Sequence, residues 1–152
     1  KNEEALEILE IAIELNPKSP RVHHKKGLIL LRSGKHKEAM RLFDTAIRLD
    51  SNYIPVYLDK GTAFCHSRKW KKALECYNKG ISLGSTDPQF HVSKGLTQRN
   101  MRDFGDALKS YDKAINLGAK DGKTCLLKAI LLTDMERYEE AIKWSDRALA
   151  LR

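Results

Sequence analysis

A Lys-Gly pair interrupts an apolar helical pattern at Lys26-Gly27, returns as Lys60-Gly61 and Lys94-Gly95, and reappears as Lys128-Ala129. Each recurrence falls 34 residues after the last. A period in this range belongs to arrays whose units cannot bury their apolar faces alone and must stack to do so. Aligned on it, Ala5, Ala39, Ala73, Ala107 and Ala141 form one column, and Ala12, Ala46, Gly80, Ala114 and Ala148 form another. Leucine holds positions 15, 49, 83, 117 and 151; Ile13, Ile47, Ile81, Ile115 and Leu149 follow; a bulky column reads Leu9, Phe43, Tyr77, Tyr111 and breaks at Ser145. The spacings of three, four and seven within each frame predict amphipathic helices rather than strands.

Each frame holds two helices, predicted near 21–33 and 37–50, 54–67 and 71–83, 88–101 and 104–117, and 122–134 and 138–151. Pro20, Pro55 and Pro88 suit first turns, where a missing N–H costs little, and Gly34, Gly84 and Gly118 suit helix ends. Glycine costs a helix interior about 1 kcal/mol relative to alanine, so Gly27 and its equivalents need a packing reason. Close approach of two helices at small residues, with Phe43 filling the space beyond, supplies one. On this reading Gly61→Leu overpacks the contact, whereas Gly61→Ala is mild because the fourth frame already carries Ala129.

These columns resemble the tetratricopeptide repeat: a small residue at the eighth place, alanine at the twentieth and twenty-seventh, an aromatic at the twenty-fourth, and proline near the end, as at Pro17. The resemblance spans 1–152 as a single domain, with half a repeat (1–19) and repeats 20–53, 54–87, 88–121 and 122–152. It implies an all-α solenoid of antiparallel helix pairs wound into a right-handed superhelix. The opening inside a helix suggests an excerpt of a longer chain. Core-type residues in 1–19 then need cover from preceding sequence or from self-association with a second copy.

The resemblance further implies a concave wall lined by the first helix of each pair. Its centre and rim here give Arg21, His24, Leu28, Arg32, Leu58, Thr62, His66, Val92, Leu96, Arg99, Leu126 and Ile130 as the candidate groove. An apolar stripe with basic flanks suits a peptide or amphipathic helix of a protein partner, acidic where it meets the rim. Some relatives clamp the carboxylate tail of heat-shock chaperones, but the corresponding places hold His24, Leu28, Asp59, Gln89 and Ser93, which lack that pattern.

The chain has 28 Lys and Arg against 20 Asp and Glu, a net charge of +8. The excess is greatest in 20–53 and 54–87, at +5 and +3, while 1–19 carries −3. Lys35 and Lys37 at one turn, with Arg68, Lys69, Lys71 and Lys72 at the next, outline a basic edge, an alternative site for nucleic acid or an anionic surface. Trp70 within it shares a column with His36, Phe104 and Tyr138 and is expected in the core. The ladder Lys26, Lys60, Lys94, Lys128 is expected to lay its stems along the seams and snorkel to water. A third possibility is a structural spacer within a larger protein.

Cys65, Cys76 and Cys125 form no CxxC, which favours free thiols and a reducing, cytoplasmic setting. No apolar run approaches the ~18 residues of a membrane span. His23 and His24 are adjacent and so face different ways; no metal-ligand spacing, nucleophile–base pairing or phosphate-cradling loop is visible. The expectation is a scaffold with no enzymatic activity and no cofactor.

Overall fold

The computed structural model describes residues 2–151. Among them the chain forms α1 (Asn2–Leu15), α2 (Pro20–Arg32), α3 (His36–Leu49), α4 (Pro55–His66), α5 (Trp70–Ser82), α6 (Gln89–Asn100), α7 (Phe104–Asn116), α8 (Gly122–Asp134) and α9 (Tyr138–Ala150). The predicted helices match these within about a residue at each end. Helices α2 and α3, α4 and α5, α6 and α7, and α8 and α9 pack as hairpins, and each hairpin touches the next, which makes the chain an α-solenoid.

The four hairpin turns are built alike. Lys35 N–H donates to Leu30 O, Lys69 to Phe64, Asp103 to Gln98 and Arg137 to Leu132, each at 2.9 Å and each five residues back. This bond closes a Schellman end, which requires the preceding residue to be left-handed. Gly34 meets the requirement without strain at φ 79°; Arg68, Arg102 and Glu136 meet it at 57°, 65° and 60° despite their side chains.

Packing within the hairpins gives the glycine column its cause. A Cβ built on Gly27 would lie 2.7 Å from the Phe43 ring, and one on Gly95 2.8 Å from Tyr111; at Gly61 it would press still closer on Tyr77. Phe43, Tyr77 and Tyr111 are fully buried, so their rings cannot swing aside. This geometry predicts a cost for Gly61→Ala, against the mild effect expected from the columns. Ala129 is accommodated because Ser145 stands where the other hairpins put an aromatic ring.

The second small column shows the same trade between hairpins. A Cβ on Gly80 would run into the ring of Phe90, the third residue of the next repeat. Where that place holds Val56 or Thr124, the preceding column residue is Ala46 or Ala114. Gly80 is thus fitted to its neighbour and not a loosening of the seam.

The lysine ladder spans the seams. Lys26 Nζ donates to Glu10 at 3.0 Å and Lys94 to Asn78 at 2.8 Å, while Lys60 meets Asp44 and Lys128 meets Asp112. The partner always lies sixteen residues back, on the second helix of the preceding repeat. The ammonium groups end on specific acceptors rather than in open water.

Candidate functional site

The stripe expected to face a partner lies on α2, α4, α6 and α8, but its members differ in accessibility. Arg21, Arg32 and His66 are exposed; Leu28, Leu58, Thr62, Leu96, Arg99 and Ile130 are half-buried; Leu126 is 46% exposed. Two members are corrected by the structure. Val92 and His24 are only 5% exposed: Val92 lies in a core cluster with Ala107, Tyr111, Ala114 and Leu131, and His24 packs among Phe43, Tyr53 and Asp59.

His24 is held by partners no sequence column announces. Its Nε2 lies 2.8 Å from Asp59 Oδ2 and its Nδ1 3.2 Å from the Tyr53 hydroxyl, with its ring tilted against Phe43. The imidazole thereby ties α2 to α4 beneath the surface. Arg99 plays a comparable part farther along: its Nε donates to Asp134 at 2.5 Å, joining α6 to α8. Thr62 turns its hydroxyl onto Leu58 O at 2.9 Å. Half-exposed leucines and the cations Arg21, Arg32 and Lys123 remain for a ligand to meet.

The residues of the basic edge, Lys35, Lys37, Arg68, Lys69, Lys71 and Lys72, are all exposed. The structure brings several together. Lys37 and Lys69 border one cleft of 430 Å³ with Met40 and Phe64 in its lining. Arg68, Lys69, Lys71 and Lys72 surround a second, of 410 Å³, containing Trp70 and Met101. Trp70 is half-buried, and its expected place in the core is not the one it takes. At the turn it shares this cleft with Met101 and the four cations.

The thiols are free, with Cys76 and Cys125 buried. Burial pushes the Cys76 thiol up to about 11, far from the range of a reactive thiolate. Among the described residues no group of three His, Cys, Asp or Glu could hold a metal ion, and no helix is long and apolar enough to cross a membrane.

Family models of the tetratricopeptide repeat match residues 1–54 and 122–152, together more than half of the chain. No curated protein sequence matches it. Among solved structures, PilF of Pseudomonas aeruginosa superposes with a TM-score of 0.92 at 20% identity, over 99% of this chain and 69% of that one. MamA of Desulfovibrio magneticus RS-1 gives 0.86 at 19% identity, over 99% and 85%. YrrB, a TPR protein with an unusual peptide-binding site, gives 0.81 at 18% identity, over 94% and 74%. At these identities the likeness is one of fold.

Proposed function

The chain belongs to the tetratricopeptide repeat family, and on that premise we propose that it is a protein-interaction scaffold whose first helices receive an extended or amphipathic-helical segment of a partner. One observation carries this reading. Leu28, Leu58, Leu96, Leu126 and Ile130, all on first helices, keep exposed surface although other apolar residues of the same helices are fully buried. Solenoids use such continuous faces for extended ligands, and YrrB offers a precedent for peptide binding on this fold. Arg21, Arg32 and His66 flank the stripe and favour acidic residues at the ends of the bound segment, chiefly by speeding encounter. His24 and Val92 support the surface from beneath.

The test is selection of peptides from a displayed library, followed by binding to two variants. Selected peptides should carry spaced apolar residues with acidic flanks, and Leu58→Glu with Leu96→Glu should weaken them at least tenfold. Peptides indifferent to that pair but lost on Lys69→Glu, Lys71→Glu and Lys72→Glu would sink the groove.

The second reading is favoured by Trp70, half-buried amid four cations. A basic surface with an aromatic platform suits single-stranded nucleic acid. Such binding should fall steeply with salt and vanish on Trp70→Ala.

A further inference from the structure

The hairpin α6–α7 departs from the others on the side away from the stripe. At 3.6 residues per turn, His91, Lys94 and Gln98 share the face of α6 roughly opposite Leu96. Together with Asp106, Lys109, Ser110 and Lys113 of α7 they line a cleft of 260 Å³.

Three substitutions of the repeat pattern make this cleft unlike its counterparts. The places of Gln98 and Ser110 are filled elsewhere by Leu30 and Leu42, Phe64 and Cys76, and Leu132 and Trp144. Here both residues are buried, and Ser110 Oγ donates to Gln98 Oε1 at 2.6 Å. With its oxygen engaged, the Gln98 amide still has two N–H donors to offer. Burying a polar pair where the repeat ordinarily packs hydrocarbon gains little stability, so a packing role does not account for it.

The other substitution is in the ladder. Lys26, Lys60 and Lys128 each meet a carboxylate, but Lys94 meets the neutral Asn78. Lys109 is paired with Asp106 at 2.9 Å, whereas among the described residues neither Lys94 nor Lys113 has a carboxylate within 4 Å. The positive potential is only partly relieved by Asp106: burial, then the charge of Lys113, holds Lys94 below the ordinary ammonium range against the pull of Asp106, and burial with Lys113 and Lys94 holds the His91 imidazole down.

We propose that this cleft binds a phosphate group, with Lys94 and Lys113 as its cations and the Gln98 amide as a neutral donor. Lys94, Lys109 and Lys113 against the single carboxylate of Asp106 leave an excess of two positive charges in the lining, which matches a dianion better than a carboxylate, and an ammonium has three donors, of which Asn78 takes one. The site is independent of the stripe, and each can fail without the other.

Amide NMR titration of the folded chain with inorganic phosphate, and separately with Gly-phosphoserine-Gly, tests it at constant ionic strength. Saturable shifts should centre on residues 91–98 and 106–113. Asn78→Asp installs the carboxylate that the other seams already have, so the fold survives and affinity should fall at least tenfold. Lys94→Gln with Lys113→Gln should do the same; should that pair fail to fold, Asn78→Asp decides alone. Tripeptide binding at least tenfold tighter than phosphate assigns the group to a phosphorylated side chain of a partner, and equal binding assigns it to free phosphate. The proposal is overturned by absence of saturable shifts at this cleft, by equal shifts with Gly-Ser-Gly, or by Asn78→Asp leaving affinity unchanged.

Discussion

Hairpins α4–α5 and α8–α9 solve one packing problem in opposite ways. In the former, Gly61 gives up its Cβ so that the Tyr77 ring can lie against the helix; in the latter, Ala129 keeps its Cβ and Ser145 gives up the ring. The backbone is shared and the volume is traded across sixteen residues. A column in this array is therefore one half of a pair, and the permissiveness of a position is set by its partner in the other column.

The sharpest way to break this comparison is Gly61→Leu, which should destabilise by about 3 kcal/mol or more, since a branched side chain cannot be placed against a buried ring. Gly61→Ala should itself cost about 1 to 3 kcal/mol. Chemical denaturation showing alanine to be harmless would mean that the ring relaxes. Next comes the reverse exchange in the last hairpin: Ser145→Tyr should cost about 1 to 2 kcal/mol beside Ala129 and recover most of that with Ala129→Gly added. A double-mutant cycle should return at least about 1 kcal/mol of coupling, and additive effects would dissolve the pairing.

Smaller effects sharpen the same contrast at the seams. Asp112→Asn should cost up to about 1 kcal/mol and Asp44→Asn less, because Lys128 is 11% exposed and lies 3.9 Å over the Trp144 ring, whereas Lys60 is 18% exposed. Both losses should shrink in high salt, as thermal melts at two ionic strengths would show. The smallest change is at the turns. Glu136→Gly and Arg68→Gly should each gain a few tenths of a kcal/mol, the relief of a left-handed backbone less the greater freedom of glycine in the unfolded chain, and a loss would show that the side chains contribute contacts there.

The helices and the order of the hairpins were legible because columns of Ala, Leu and Ile fix the helical faces without reference to anything distant. The cause of the glycines was half legible. Gly27 and Phe43 are visible as columns, yet columns read one at a time do not show that the loss of both features at Ala129 and Ser145 is one exchange. The ladder's acceptors could have been found, since Glu10, Asp44, Asn78 and Asp112 repeat at the same interval as the lysines. His24 could not: its partners Asp59 and Tyr53 belong to no column, and the bond joins successive first helices whose separation depends on the curvature of the stack. Trp70 misled because a column predicts direction, and the end of a helix presents less neighbour to cover a large ring.

The fit between Gly80 and Phe90 has a consequence for how the gene can change. An array of equal modules invites unequal crossover, which deletes or duplicates whole units without shifting the reading frame. Here such an event would be policed at the join. Deleting one unit between α3 and α6 would set Ala46 against Phe90, and duplicating it would set Gly80 against Val56, a collision in the first case and a void in the second. The modules carry an address, and it is written in the size of two side chains.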